Sequence, residues 1–527
     1  MTIIGAGMAG LSAALRLAER GVAVTLLDQH DFLGGKWGAH TRVVRTSRGE
    51  ETVAHEHSYH MLLNWYHNFW DIVDELGLRD RFMPQPALRF LEAGGYPETT
   101  ELRDVGSMET AWSNLFSGPV SPIDSFLHAY SLVDLLAEPL DPDRLLDRYS
   151  VNGFMASRPY ATDVAALQHQ RTLAKAFACP SYHTSARTYQ AFVKYGYRLP
   201  QPMTWVLKGD VERHFHRHLE RRLLDLGVDI QRLTRIERLR LDDAGRIVGL
   251  EGVRMARTAG EGERPVEFTV DGQVILAVPP GAVDSMVDEQ VYAAAPELAN
   301  VRKLRSEPMA SLDLYFNRRL EGLPFGHVIL LNSRYDLTFI DNAQVWPDEE
   351  FTVLNVVASD FDPLNFSGAA GDDAHRFQRL NDDIVMPAIL QELRRYIPFE
   401  DADIDWAKTH LQTNTGESLF VNEVGTWHLR PQTRCGISNL FMAGDYVRSC
   451  IDVVTIEGAV LTGLWAAEAA RGGEAARTGE WLGTPIVAKE PAAYPQQMLQ
   501  MMKAVGAPYA YGAKMLSLGM KALGMGR

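Results

Sequence analysis

The stretch HEHSYHMLLNWYH brings His55, His57, His60 and His67 within thirteen residues. Imidazoles at that density suggest a metal centre or proton transfer, because the neutral ring is both a ligand and a base near neutral pH. A zinc-protease helix needs H-E-x-x-H, with two histidines four residues apart. Here His55-Glu56 is followed by Tyr59 at the required position, so the pattern fails by one residue. His57 and His60, three apart, would share one face of a helix, and His214, His216 and His218 contain one i,i+4 pair. Counting ligand types alone produces many such coincidences, and no metal is assigned.

A second pattern has a phosphate-binding logic. Ile3 and Ile4 end a short apolar strand, and Gly5-Ala6-Gly7-Met8-Ala9-Gly10 follows at once. Leu11, Ala14, Leu15 and Ala18 then recur at helical spacing, and a second strand, Val22 to Leu27, ends in Asp28. The three glycines serve different ends. Gly5 permits the tight turn, Gly7 lets the backbone approach a pyrophosphate, and Gly10 lets helix pack on strand. The helix N-terminus supplies unpaired N–H groups and a favourable dipole. Asp28, eighteen residues past the last glycine, is placed to accept hydrogen bonds from an adenosine ribose. Only four residues precede the turn, so either the start lies upstream or the first strand is short.

Two further stretches distinguish a flavin from a nicotinamide. Leu33-Gly34-Gly35-Lys36 adds a glycine pair shortly after Asp28. Far along the chain, an apolar strand from Leu440 to Met442 runs into Ala443-Gly444-Asp445. A loop then leads to Glu457-Gly458-Ala459 at the start of an Ala-rich helix, with small residues at Gly463, Ala466 and Ala467. That is a second helix N-terminus, suited to a second electron-rich group. A flavin has both a diphosphate and a ring edge that becomes negative on reduction, and FAD is therefore the expected cofactor.

With these residues the chain resembles the FAD-dependent amine oxidase and phytoene desaturase superfamily, and within it the plant- and cyanobacterial-type carotenoid desaturases. DFLGGKWGAH (31–40) resembles the LGGK segment of that branch, and Glu56-His57-Ser58-Tyr59-His60 with Tyr66 and Asn68 resembles its E-x-x-x-H…Y-x-N element. Lys208-Gly209-Asp210-Val211-Glu212-Arg213 is similar to its G-N-P-P-E-R element, one residue shorter and without the prolines. Thr234-Arg235-Ile236 and LRSEPMASLDLYFNRRL (304–320) resemble two of its strands, with Asn317 where Asp is usual. The resemblance implies a backbone contact from Ile236 to the adenine, a contact from Asp445 to the ribityl chain, and amides near Glu457 and Ala459 facing the flavin ring. It implies a basic residue, here Lys36, near the phosphates, and places His60 and Arg213 at the cavity as candidates for its chemistry. Lys303 lies where an amine oxidase sometimes keeps a lysine near flavin N5; a solvated lysine is the commoner explanation.

These elements imply an α/β fold: a discontinuous Rossmann-type (GR2-like) FAD-binding domain with an interleaved α+β substrate domain. A chain of 527 residues exceeds one hydrophobic core. The FAD-binding domain is expected to collect residues 1–85, 205–290 and 405–475, with a strand pair around Val248 to Val253 and Thr269 to Val278 ending in Pro279-Pro280. The substrate domain collects 86–204 and 291–404, of which 95–200 matches nothing in the resemblance. Trp65, Tyr66, Phe69, Trp70, Ile72, Val73 and Leu76 read as a core-facing amphipathic helix ending at Gly77.

Net charge of −15 argues against nucleic acid, and three scattered cysteines (Cys179, Cys435, Cys450) exclude a disulfide framework. No apolar run is long enough to span a bilayer, and the N-terminus lacks the basic flank of a signal peptide, which favours a cytoplasmic protein. Residues 476–527 read as linker and tail, with Pro485, Pro491 and Pro495 in the linker. After Glu490 there is no acidic residue, while Lys503, Lys514, Lys521 and Arg527 follow among methionines and leucines. An interfacial helix on the inner face of the membrane would explain such a tail, as would docking on the protein itself or on another subunit. Gly506, Pro508, Gly512, Gly519 and Gly524 are expected to break up its helical order.

The implied chemistry is removal of hydrogen from adjacent carbons of a hydrophobic, isoprenoid- or carotenoid-like small molecule, by hydride transfer to flavin N5. Electrons would pass on to a quinone or dioxygen. A flavin amine or amino-acid oxidase and a redox-neutral polyene isomerase are the alternatives. A flavin-free lipid-chain carrier on the same fold is disfavoured by the intact glycine motifs.

Overall fold

In the computed structural model, the described residues are all except 47–48, 105–106, 140–144, 178, 197–201, 257–261, 362–383, 415–418, 479–482, 491–494 and 525–527. Pro491, Met525 and Arg527 therefore lie outside the described residues.

Thr2–Ile4 forms a strand of only three residues, enough to carry the chain into the glycine turn. It is the middle strand of a five-stranded sheet in the order Asp229–Gln231, Thr25–Leu27, Thr2–Ile4, Val274–Leu276, Leu440–Met442. All four pairings are parallel. Numbered along the chain this is order 3-2-1-4-5, the doubly wound arrangement, whose crevice opens at the carboxyl ends of the strands. Val274–Leu276 and Leu440–Met442 are apolar and buried at every position, as strands covered on both faces must be.

The helix Met8–Ala18 packs along Ile456–Thr478, which joins the two distant halves of the nucleotide motif. Small residues permit this approach: a Cβ on Gly463 would lie 2.2 Å from the Ala9 carbonyl oxygen. An antiparallel sheet of Thr234–Leu241, Ile247–Arg254 and Arg264–Thr269 packs beside the parallel one. The pairing expected between Val248–Val253 and Thr269–Val278 is thus divided. Arg264–Thr269 pairs with Ile247–Arg254, and Val274–Leu276 enters the central sheet instead. A fully apolar segment gains more by burial on both faces than at a half-exposed edge.

The second layer is a seven-stranded mixed sheet in the order His410–Gln412, Ala310–Tyr315, Val353–Ala358, Leu337–Asp341, Val328–Leu330, Ala87–Leu91, Thr100–Arg103. Leu312, Leu314, Phe339 and Val356 form its core with Ile389 and Leu393 of the helix Met386–Leu393. The unmatched region is largely helical: Met108–Ser117, Pro122–Ala137, Val151–Ala156, Asp163–Phe177 and Ala186–Gly196.

The tail does not break up. Gln496–Ala522 is one helix of 27 residues with Pro508 inside it, lying along Pro122–Ala137. Gly506 meets the Tyr130 ring, where a Cβ would come within 2.7 Å, and Tyr130 Oη donates to the Lys503 carbonyl at 3.0 Å. Packing against a neighbour overrides the glycine and proline propensities that a window of sequence reports.

Candidate cofactor and substrate site

A cavity of about 580 Å³ opens where the parallel strands end. Ile4 and Gly5, Leu27 and Asp28, Ala277 to Pro279, and Gly444 to Tyr446 line it, each at or just past the end of a strand of the parallel sheet. It extends from Thr234, Arg235 and Ile236 at one end to Tyr59, His60, His327 and Thr338 at the other.

The three glycines of the first turn play different physical parts. Gly5 has φ +102°, and a Cβ there would lie 2.4 Å from the Ala277 carbonyl oxygen. Gly10 lies outside the cavity lining, and its Cβ would meet the Gly5 carbonyl oxygen at 1.9 Å, so it serves helix-on-strand packing. Gly7 alone of the three faces open space, with nothing within 4 Å of a built Cβ, and it is the N-cap of the helix Met8–Ala18. That geometry fits a diphosphate approaching the backbone at a helix N-terminus. The glycine pair belongs to the same floor: Gly34 N–H donates to the Ala6 carbonyl at 2.9 Å, and Gly35 lies against the Gly7 Cα. Lys36 follows in the short turn Gly35–Trp37 and lines the cavity.

Asp28 lines the cavity with part of its acceptor capacity engaged. Oδ2 accepts from Ala6 N–H at 2.5 Å and Oδ1 from His30 N–H at 2.8 Å. After the last parallel strand Gly444, with φ +135°, is gripped by Thr462: its N–H donates to Thr462 Oγ1, which donates back to its carbonyl, both at 3.0 Å. Ile456 and Ala459 line the cavity beside Asp445. Glu457 and Gly458 do not. The Glu457 carboxylate turns away to accept hydrogen bonds from Asn68 and Phe69, and burial pushes its pKa up to about 8. Gly458 N–H donates to Thr455 Oγ1 at 3.0 Å, capping the helix start.

The histidines separate. Residues 57–61 form a loop between Gly49–Glu56 and Leu62–Leu63, so His57 and His60 share no helix. His55 Nδ1 lies 3.1 Å from Asp313 Oδ2, and His216 Nε2 lies 2.5 Å from the Trp37 carbonyl oxygen. Among the described residues no group of three or more His, Cys, Asp or Glu is arranged to hold a metal. His57 and His60 both line the cavity. His60 Nδ1 lies 2.8 Å from the Ser58 carbonyl oxygen, to which it donates, so the neutral ring keeps Nε2 as an acceptor. Burial pushes this imidazole down to about 4.

Arg213 is not brought to the cavity. Its side chain is 61% exposed and stands 3.7 Å from Asp348, itself on the surface. Two residues earlier, Val211 N–H donates to Glu56 Oε1 at 2.9 Å, beside the cavity-lining His57. Residues Glu212–His216 then form a single π-helical turn, which sets Arg213 facing outward. Lys303 is likewise on the surface, donating to Asn300 at 3.1 Å.

Other residues frame the site without a motif to announce them. Tyr446 is fully buried and lines the cavity, and its hydroxyl has no hydrogen-bond partner among the described residues. A buried phenol in that state calls for a polar ligand atom. Arg430, buried between Phe420 and Trp427, donates to the Tyr446 and Val447 carbonyls at 2.7 and 3.1 Å and pairs with Asp452. It clasps the loop after Gly444. Thr338 comes from the seven-stranded sheet and His327 stands directly before its strand Val328–Leu330, which no local pattern assigns to the cavity.

A doubly wound sheet, an open glycine at a helix N-terminus and a second helix start on one cleft fit a dinucleotide-type flavoprotein, with a second, seven-stranded sheet contributing to the same cleft. The chain belongs to the flavin-containing amine oxidoreductase family, whose model matches residues 8–471. It is an FAD-dependent oxidoreductase. It is 23% identical over 478 residues to 15-cis-phytoene desaturase of Arabidopsis thaliana, covering 88% of this chain and 78% of that protein. It is 21% identical over 490 residues to the probable zeta-carotene desaturase of Synechococcus elongatus, covering 89% and 98%. Among solved structures, cyclohexylamine oxidase from Brevibacterium oxydans superposes with a TM-score of 0.57 at 15% identity, over 89% of this chain and 98% of that one. An oxidoreductase from Methanosarcina mazei superposes with a TM-score of 0.61 at 14% identity, over 89% and 99%.

Proposed function

We propose that the chain dehydrogenates an uncharged, largely apolar small molecule, of isoprenoid or carotenoid type, across two adjacent carbons. FAD, when bound, supplies the hydride acceptor at N5. Two C–H bonds of the substrate break and a C=C bond forms. One hydrogen leaves as hydride, the other as a proton to solvent. An unactivated C–H is too weak an acid to lose its proton first, so hydride loss leads.

The observation that carries this reading is the neutral character of the cavity beyond the glycine turns. His60 is held uncharged by burial, and the Tyr59 phenol, raised by burial, donates to Thr338 Oγ1 at 2.7 Å. Met61, Met309 and Val357 supply apolar wall. Among the described residues the carboxylates that line the cavity are Asp28 and Asp445, each just past a strand of the parallel sheet; none comes from the stretch Tyr59–Met61 or from the seven-stranded sheet, where an ammonium substrate beside His60 would need one. The chain's own work is then to orient the reacting carbons and exclude water. The named desaturase relatives support the same substrate class.

The amine-oxidase reading has one observation in its favour: Tyr66 and Tyr446 both line the cavity, and aromatic faces attract cations. Anaerobic mixing of the flavin-loaded protein with isoprenoid polyenes and with amines separates the two. Bleaching of the visible flavin band by polyenes is the expected result, and bleaching by amines alone overturns the proposal. Interconversion of polyene isomers without bleaching would favour the redox-neutral isomerase. Reoxidation by a quinone or by dioxygen is read by adding each to the reduced protein.

A further inference from the structure

We infer that His60 and the Tyr59–Thr338 pair form a hydroxyl subsite, which anchors a substrate carrying one free hydroxyl on its apolar chain. The inference rests on the proposed dehydrogenation of an apolar molecule and adds one polar group to that molecule. The hydroxyl anchors the substrate and takes no part in the loss of hydrogen.

The two protein hydroxyls make a single bond between them. Tyr59 Oη donates to Thr338 Oγ1 at 2.7 Å, and neither hydroxyl has a further partner among the described residues. Two O–H groups sharing one hydrogen bond leave one hydrogen without an acceptor. His60 has the converse deficit. Its Nδ1–H is engaged by the Ser58 carbonyl at 2.8 Å, and its Nε2 lone pair meets no donor among the described residues. Burial pushes that imidazole down to about 4, so the lone pair persists at neutral pH. All three residues line the cavity. One donor and one acceptor opening on the same space are matched by a group that accepts and donates at a single atom, and a hydroxyl does this.

Charge narrows the choice. The cations Lys36 and Arg235 on the cavity wall stand at the glycine turn and on the strand Thr234–Leu241. Among the described residues neither a cation nor a carboxylate reaches the cavity from Tyr59–Met61 or from the seven-stranded sheet. A carboxylate or an ammonium finds no counter-ion there, whereas a neutral hydroxyl needs none.

The polar groups are also held in place. Tyr59 N–H donates to Asn355 Oδ1 at 3.1 Å, and Asn355 Nδ2 donates to Asp313 Oδ1 at 2.5 Å, which sets the orientation of the amide. Asn355 and Asp313 are both buried. Asn414 Nδ2 donates to the His57 carbonyl at 3.2 Å. These contacts fix the backbone on either side of Ser58, whose carbonyl aims the His60 ring. Recognition of one small polar group requires such a preset geometry.

The test uses the flavin-loaded full chain and three probes: farnesol, its methyl ether, and the hydrocarbon of the same chain without the oxygen. Each is titrated anaerobically from detergent micelles, and half-saturation is read from the perturbation of the visible flavin band. Farnesol is expected to half-saturate at a concentration about tenfold lower than either companion. The ether cannot donate to His60, and the hydrocarbon satisfies neither group. His60→Phe is expected to abolish the preference, and His60→Gln, whose Oε1 still accepts, to retain most of it. Flavin absorbance and melting temperature show whether each variant is folded, and the wild-type comparison of the three probes stands without them. Equal half-saturation by all three overturns the inference and leaves the apolar-substrate reading intact. A preference that survives in folded His60→Phe overturns it as well. If no probe perturbs the band, the inference and the apolar-substrate reading fall together.

Discussion

Glu457 Oε1 accepts hydrogen bonds from both the backbone N–H and the side-chain amide of Asn68, at 2.9 and 2.7 Å. Oε2 accepts from Phe69 N–H at 2.9 Å. Asn68 and Phe69 lie in the first turn of His67–Glu75, and Glu457 lies in the first turn of Ile456–Thr478. One carboxyl group therefore joins two helix N-termini, capping the first from outside while standing in the first turn of the second.

Glu457→Gln keeps the shape but turns an N–H₂ toward N–H donors. The expected cost is about 2–3 kcal/mol, from donors left without an acceptor in the interior. Chemical denaturation of wild type and variant measures it, and loss of bound flavin should accompany it because Ile456 and Ala459 shift with the helix.

Gly7 and Gly10 are expected to respond oppositely to the same change. Gly7→Ala places a methyl in open cavity, so the fold should keep its melting temperature while flavin retention falls. Gly10→Ala drives a Cβ against the Gly5 carbonyl oxygen at 1.9 Å and should yield little folded protein. The flavin-to-protein absorbance ratio, read beside thermal unfolding, distinguishes the two.

His60 is a weak base in this setting. General-base catalysis contributes about 10²–10⁴-fold when the catalytic pKa lies near the working pH. With an imidazole pushed down to about 4, His60→Phe is expected to slow anaerobic flavin reduction by no more than about tenfold. Neither protein should show a rate inflection between pH 6 and 8 from this residue.

Arg430 and Arg213 offer a contrast in arginines. Replacing buried Arg430 by Met removes its pairing with Asp452 and leaves the Tyr446 and Val447 carbonyls without this donor, at an expected cost of about 3 kcal/mol. Arg213→Ala removes an exposed pair and should change stability by less than about 0.5 kcal/mol, with flavin binding untouched.

Stability should peak near pH 6.5. Burial raises Glu56 and Glu457 from 4.5 to about 8 in the folded protein, so their contribution is complete below 4.5 and is lost as pH rises through 8. Burial lowers His60, His128 and His216 from 6.5 to about 4, so their contribution is complete above 6.5 and is lost as pH falls through 4. Between 8 and 6.5 acidification strengthens the protein through the glutamates, and below 6.5 the histidines outnumber them. Melting temperatures across this range test the shape, and Glu56→Gln should flatten the alkaline limb.

What could be read in the residues was whatever chemistry ties to fixed spacing. A diphosphate at a helix N-terminus demands glycines at set intervals, and so the turn at Gly5 to Gly10 and the Gly444–Asp445 loop are visible as letters. The facing of a single side chain is another matter. Arg213 stands in a motif-like run, but one π-helical turn set its direction, and no periodicity reports such a turn. His327 and Thr338 reach the cavity through the order of strands in a sheet, a long-range property. The unmatched helical region and the unbroken C-terminal helix were hidden for a related reason, since packing between helices, not propensity, holds them.

The glycine turn at Gly5 to Gly7 is synthesised more than four hundred residues before the Gly444–Ala459 segment that lines the same cleft. A ribosome-bound nascent chain can thus present the phosphate-binding turn long before it can enclose a flavin ring. Its edge strand Leu440–Met442 and the helix that follows complete the parallel sheet and the cofactor enclosure in the same late event. Cofactor capture thereby waits on that late strand, and a chain truncated before it is left with an open sheet edge at Val274–Leu276 for quality control to find.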